Sequence, residues 1–382
     1  MQKAAAGLKC EVFVVDNNST DGSEAYFAGK FPAVHFKWNN SNQGFGKASN
    51  SVLSKATGEH ILFLNPDTII PEDCFTKCLA FFNKHANCGA LGVRMVDGSG
   101  KYLPESKRGL PSPSASFFKI LGLSNIFPSS KIFAQYYAGH LPQAKSNKVE
   151  VLAGAFMMLS RKALLATGGF DEDFFMYGED IDLSYRVRKA GMSNYYFADT
   201  SIIHFKGEST QKLSGNYIEH FYGAMGLFAR KHYGENKKLL YLVSLAIKVT
   251  RAFSLIKTAG TTQTPQAKPT PQTAIVAGQQ KFNECVAILK HAAPPVLLIG
   301  RIAINLKELQ PAIGELNILS QIIRTHKINQ VVFCEADLSY KEIISHFEKN
   351  ATKASFLIHS NGSNSMVGSN NKNSRGLFIA GS

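Results

Sequence analysis

Two hydrophobic stretches in the amino-terminal half each stop at a polar, acid-bearing turn, and an acidic helix start follows far downstream. The first reads Val12-Phe13-Val14-Val15-Asp16-Asn17-Asn18-Ser19-Thr20-Asp21, the second Ile61-Leu62-Phe63-Leu64-Asn65-Pro66-Asp67. The helix start lies in Phe170-Asp171-Glu172-Asp173-Phe174-Phe175-Met176-Tyr177-Gly178-Glu179-Asp180-Ile181-Asp182. Short apolar runs bounded by turn residues read as buried strands. Carboxylates just past the carboxyl ends of such strands sit where open α/β sheets bind ligands. An acidic rim of that kind suits a nucleotide diphosphate and its metal.

Strand, turn and helix signals alternate from residue 11 to about residue 100, the pattern of an α/β fold with a βαβ-built sheet. Lys47 to Thr57 reads as a helix stopped by Gly58, and Val149 to Leu159 as one strand. Residues 103–148 are rich in Pro, Ser and aromatics without a clear period, which predicts a mobile insertion on the acceptor side. Asp180 to Ala190 is a helix with acids at its start, Arg186, Arg188 and Lys189 in its last turns, and Gly191 as its stop. These signals divide the chain into a first domain over 1–236 and a basic amphipathic helix over 237–257. A Thr/Pro/Ala/Gln-rich linker over 258–280 and a small Rossmann-like α/β unit over 281–382 follow. Gly300 stands alone without a GxGxxG fingerprint, so dinucleotide binding is not expected in that unit.

At its acidic turns the chain resembles the inverting family-2 glycosyltransferases of GT-A fold, especially the rhamnosyltransferase-like bacterial members. The resemblance is carried by VVDNNSTDGS, the stretch from Asn42 to Asn50, LFLNPD, GAFMMLSR, GGFDEDFFMYGEDIDLSYRVRKAG and the late Ile203-His204-Phe205, over roughly residues 10 to 235. It implies that Asp67 is the last acid of a metal-binding DxD motif whose first acid is replaced by Asn65. His204 would be a further metal ligand, and the metal Mn2+ or Mg2+. Asp180 would be the catalytic base, with Glu179 as an acceptor-binding or orienting neighbour. Asp16, Asn18 and Ser19 would contact the nucleotide; Asn42, Gly44 and Phe45 would form a second wall of its site. Gly154 would let sugar or acceptor approach the backbone closely. Lys206 is a candidate for a phosphate.

The same resemblance sets the partners: a nucleotide-diphospho-sugar donor and a glycan or lipid-linked acceptor, in cell-surface polysaccharide synthesis. Family members usually begin with an additional strand and helix, whereas nine residues precede Cys10 here, which predicts amino-terminal truncation. Each motif also has a plainer explanation. Asn, Pro and Asp are common turn residues, and acids at a helix start are favoured electrostatically whatever their chemistry. Two rival functions follow: a nucleotidyltransferase, and a nucleotide-sugar-binding or scaffolding remnant without activity.

A net charge of +14, from 42 Lys and Arg against 28 acids, favours an anionic partner. No long Lys/Arg run or nucleic-acid motif is present, so nucleic acid is not the expected one. The apolar positions around Leu239 to Ile247, interrupted by Lys248 and Arg251, are too charged for a membrane span but suit a helix lying in the interface. A helix packed on its own domain is the plainer alternative; the flanking Lys237, Lys238, Lys248, Arg251 and Lys257 favour the interface, with the expected location cytoplasmic and peripheral at the inner face of the cell membrane. The six cysteines form no CxxC pair, so they read as scattered reduced thiols rather than a zinc site.

Overall fold

A computed structural model describes residues 1–110, 123–205, 215–235, most of 237–249, 270–292, 295–305, 311–351, 353–368 and 377–380. The first stretch of chain makes β1 (Val12–Asp16), α1 (Ser23–Phe27), β2 (Val34–Trp38) and α2 (Phe45–Asn50). β1 and β2 pair in parallel, Val12 opposite Val34 and Asp16 opposite Trp38, as a separate two-stranded sheet. Next come β3 (His60–Leu64), β4 (Thr68–Ile69), α3 (Cys74–Lys84), β5 (Cys88–Val96), β6 (Asn147–Val149) and β7 (Phe156–Ser160). α4 (Arg161–Thr167), α5 (Glu179–Lys189), β8 (Ser193–His204) and α6 (Gly215–Tyr233) complete this part. The second sheet runs β3-β7-β5-β8-β4, with β6 paired to β8. Its faces are closed by α3 on one side and by α4 and α5 on the other, around Leu91, Met157, Leu159 and Tyr196.

The expected strand from Val149 to Leu159 is divided into β6 and β7. Between them the backbone turns its hydrogen bonds elsewhere: the Gly154 N–H goes to the Asp180 side chain, and the Ala155 carbonyl accepts from Asn65 N–H. α2 ends at Asn50, shorter than the helix expected to Thr57. The 103–148 segment is packed where it is described, Ser106 and Lys107 being 1% and 2% exposed. Lys107 Nζ donates to the Ala138 carbonyl at 2.7 Å.

The carboxyl-terminal unit consists of β9 (Gln272–Val276), α7 (Gln279–Leu289), β10 (Leu297–Ala303), β11 (Gly314–Glu315), α8 (Leu319–Thr325), β12 (Gln330–Cys334), α9 (Tyr340–Lys349), β13 (Ser355–His359), β14 (Ser365–Gly368) and β15 (Leu377–Ala380). Its seven strands run β11-β10-β9-β12-β13-β14-β15, all in one direction except β14, which pairs antiparallel with both β13 and β15. The 258–280 linker boundary is corrected here, because β9 lies inside it between β10 and β12. Ala274, Ile275 and Val276 are fully buried. The Thr and Ala that suggested a linker join Ile275 and Val276, in Gln272-Thr273-Ala274-Ile275-Val276, as the small and β-branched residues a doubly covered parallel strand favours. Residues 251–269 lie outside the described set, as does Lys206.

The two parts share a core. Val96, Ile203 and Phe205 from the first sheet cluster with Ile343, Phe347 and Phe356 of the carboxyl-terminal unit. Glu72 accepts hydrogen bonds from Tyr340 N–H at 2.8 Å and Lys341 N–H at 3.2 Å, so a side chain of one part meets the first amides of a helix in the other. Lys341 also pairs with Asp73 at 2.7 Å, and Arg94 with Glu348. Gly100 lies so close to the Phe347 carbonyl that any side chain there would collide with backbone.

Candidate active site

Asp180 stands in the first turn of α5, which opens on Gly178 at φ 83°. A Cβ at Gly178 would press on Ala224 and Phe174, so close packing and the left-handed backbone both select glycine there. The Asp180 carboxylate accepts from Gly154 N–H at 3.1 Å and forms an ion pair with Arg108. Arg108 reaches it from an isolated bridge with Val151 and also donates to the Leu152 carbonyl at 3.0 Å. Two fixed donors thus orient this carboxylate.

Its neighbour Glu179 is treated oppositely. It is 9% exposed, and its Oε2 has no hydrogen-bond partner. Burial, with the adjacent Asp180 charge adding to it, pushes its carboxyl up to about 8, so at neutral pH it is largely protonated. Adjacent acids in one helix turn therefore divide into an ion-paired carboxylate and a neutral acid. Asp182, one turn further, is fully buried between Arg186 at 2.6 Å and His232 at 2.6 Å, tying α5 to α6.

Asp67 and His204 are brought side by side by the antiparallel ladder of β4 and β8, in which Thr68 faces His204. Phe205 N–H donates to the Asp67 carbonyl at 3.0 Å, and His204 Nε2 lies 3.2 Å from Asp67 Oδ1. His204 Nδ1 is buried without a hydrogen-bond partner. A carboxylate oxygen beside an imidazole nitrogen, with one ring nitrogen unsatisfied, fits a hard or borderline divalent cation. Asn65 N–H bonds to Ala155, the residue after Gly154, which links this pair to the Asp180 side of the site.

The remaining predicted residues form the rim. Ser19 N–H donates to Asp16 Oδ2 at 2.9 Å, and Asn18 takes a left-handed φ of 70°. Asn42 Oδ1 accepts from Gly44 N–H at 3.0 Å. Gly44 has φ 83°, and a Cβ there would meet the Phe175 carbonyl at 2.5 Å, so this loop tolerates only glycine. Phe45 packs edge-on against Phe170, its ring centroid 5.4 Å away, and its N–H bonds to Phe175 at 3.0 Å. It is thus a support for the rim as much as a wall.

Three residues of this arrangement were not singled out from the sequence. Asn17 holds the two rim turns together, donating to Asn42 Oδ1 at 2.8 Å and accepting from Gln43 N–H at 3.0 Å. Asn50 brackets Phe170, accepting from its N–H at 3.0 Å and donating to its carbonyl at 2.7 Å. Both lie in quoted motif words, and an Asn in a turn is itself a signal of backbone mimicry. Arg108 had no such signal. It also lines a cleft of about 560 Å³ together with Lys131, His140, Lys148, Glu150 and Arg188, a predominantly cationic wall.

Residues 2–166 match the model of glycosyl transferase family 2. That stretch carries a domain of glycosyltransferase family 2, and a second α/β region follows it in the chain. Among curated relatives, it is 27% identical over 236 residues to the N-acetylglucosaminyl-diphospho-decaprenol L-rhamnosyltransferase of Mycobacterium tuberculosis, covering 58% of this chain and 76% of that one. It is 26% identical over 206 residues to the rhamnosyltransferase WbbL of Escherichia coli, covering 51% of this chain and 73% of the relative. A solved structure of the mannosyltransferase PcManGT from Pyrobaculum calidifontis, in complex with GDP-Man and Mn2+, aligns with a TM-score of 0.41 and 17% identity over 67% of each chain.

Proposed function

We propose that this enzyme moves a sugar from a nucleotide-diphosphate donor to a lipid-linked or glycan acceptor with inversion at the anomeric carbon, Asp180 acting as the base. The observation that carries this reading is the Asp180 carboxylate, oriented by Gly154 and by Arg108, which also lines a cationic cleft. The acceptor hydroxyl oxygen attacks the anomeric carbon as the bond to the diphosphate oxygen breaks. The hydroxyl proton passes to Asp180, and the electron pair leaves on the nucleoside diphosphate. Glu179, neutral at pH 7, donates rather than accepts a hydrogen bond and orients the acceptor. Asp67 and His204 would hold a divalent cation, Mn2+ or Mg2+, which when bound neutralises charge on the leaving diphosphate. The rim from Asp16 to Ser19 and from Asn42 to Phe45 receives the nucleotide, with Asn65 and Gly154 lining the sugar side.

The cationic wall of Arg108, Lys131, Lys148 and Arg188 favours an acceptor that itself carries phosphate. The mycobacterial relative is named for such an acceptor, a diphospho-decaprenol. The helical residues between 237 and 249 support a membrane-surface location. Val243 is buried against the protein, while Tyr241, Leu245 and Val249 are exposed on the opposite face beside Lys237, Lys238 and Lys248. No helix among the described residues is long and apolar enough to cross a membrane. We infer that this face lies in the interface of an anionic bilayer at the inner side of the cell membrane.

A transfer assay with a nucleotide-sugar donor and a polyprenyl-diphosphate-linked acceptor tests the reading. Release of nucleoside diphosphate with an inverted glycosidic product supports it; release of pyrophosphate would point to nucleotidyl transfer instead. Flotation with anionic liposomes, run on the parent and a Tyr241→Ser/Leu245→Ser/Val249→Ser variant, tests the surface. Equal binding by both would assign that face to solvent.

A further inference from the structure

The carboxyl-terminal unit holds a cluster that sugar transfer does not use. Cys285 on α7 meets Cys334 and His359 at the carboxyl ends of two interior strands, β12 and β13. The two sulfurs lie 3.2 Å apart, and both lie within 4.8 Å of a ring nitrogen of His359. All three residues are buried, at 0%, 0% and 1% exposure. They are 49 and 25 residues apart along the chain (285 to 334, 334 to 359), which is why cysteine spacing alone gave no hint of them.

The histidine makes the cluster more than a pair of core thiols. His359 Nε2 lies 2.9 Å from the Ser363 carbonyl, an acceptor only, so Nε2 carries the proton. The lone pair is thereby left on Nδ1, which is buried and has no hydrogen-bond partner. A ring nitrogen donating to a backbone carbonyl while the other stays open is the arrangement that presents imidazole to a metal. Two thiolates on a tetrahedral centre with bonds of about 2.3 Å sit roughly 3.8 Å apart, a small opening from the observed spacing. A disulfide would require the sulfurs to close to about 2.05 Å and would leave His359 without a role.

We propose that Cys285, Cys334 and His359 form a binding site for a thiophilic cation of the zinc type, distinct from the Asp67–His204 pair. Soft sulfur ligands select such an ion over the Mg2+ or Mn2+ suited to the transfer site. No fourth His, Cys or carboxylate joins the group among the described residues, so a small exogenous ligand would complete the coordination. The bound ion would tie α7 to the ends of β12 and β13.

The test uses the full chain, reduced and metal-free, titrated with Co2+ as a spectroscopic probe and then with Zn2+. The expected result is one equivalent of Co2+ giving sulfur-to-cobalt charge-transfer absorption, displaced by Zn2+ and absent in Cys334→Ser. His359→Gln should weaken binding at least tenfold while keeping the fold, read by circular dichroism. Asp67→Ala should leave the charge-transfer band intact, because the transfer site has no sulfur. A reduced parent chain without that band, or a band unchanged in both Cys334→Ser and His359→Gln, overturns the proposal. A Cys285–Cys334 disulfide by mass in protein as isolated, with no metal uptake after reduction, replaces it with a redox pair.

Discussion

The rim of the candidate site and its floor are built from different physics. The rim, formed by the turns after β1 and β2, is held by neutral hydrogen bonds centred on Asn17, and Asp16, Asn18 and Ser19 stay open to solvent or nearly so. The floor holds charge in a water-poor place: the Asp180–Arg108 ion pair, the Asp67–His204 pair and the neutral Glu179. A buried charge is costly unless its partners are fixed, so the floor is rigidly furnished while the rim is assembled from turns. The difference predicts that losses on the floor appear in turnover and losses on the rim appear in affinity.

Asp180→Asn breaks the floor most directly. Turnover should fall by about 10²–10⁴-fold with donor affinity nearly unchanged, read by a transfer assay beside calorimetry with nucleoside diphosphate. Normal transfer by that variant would move the base elsewhere.

Asp67→Ala removes the carboxylate from the candidate cation pair. Activity should drop by at least about 10²-fold, and donor binding should lose its dependence on added Mn2+. Full activity at saturating Mn2+ would remove Asp67 from the metal site.

Glu179→Gln sharpens the comparison through pH. The folded-state carboxyl is raised above its unfolded value, so the folded protein binds a proton that the unfolded chain has released between about pH 4.5 and 8. Stability should therefore fall with rising pH across that window in the parent, and more shallowly in the Gln variant. At pH 7 the variant should be more stable by something on the order of 2 kcal/mol. Parallel thermal melts with the same pH slope would show that Glu179 is ionised in the fold.

Asn17→Ala tests the rim, and its effect should be the smallest. Loss of the link to Asn42 and Gln43 should weaken donor binding by roughly tenfold, the value of one or two hydrogen bonds, with kcat within about a factor of two. A fall in kcat without a change in donor affinity would erase the distinction between rim and floor.

Much of the floor was legible in the sequence because its residues end or begin regular elements. His204 closes β8 and Asp67 lies immediately before β4, and the ladder between β4 and β8 sets them side by side. Asp180 opens a helix whose acids, bases and terminal glycine were plain. Arg108 was not legible, since it meets Asp180 across 72 residues from a short bridge rather than a patterned element. The protonation of Glu179 was equally hidden, because burial decides it and the local word Gly178-Glu179-Asp180 gives both acids the same look. The β9 strand was misread as linker because its length is short and its neighbours are polar, while its burial comes from β10 and β12 at its sides and from helices on its faces.

The contact of Glu72 with the start of α9 has a consequence for how such a chain can change over generations. The Thr- and Pro-rich stretch invites the idea of two exchangeable modules joined by a tether. A recombination there would separate the sequences without separating the surfaces. One product would expose Val96, Ile203 and Phe205 to water; the other would keep a helix whose first amides had lost their carboxylate. Residues 72, 73, 94 and 203 are therefore physically coupled to residues 340, 341, 347 and 348, and a change on one side alters the surroundings of the other.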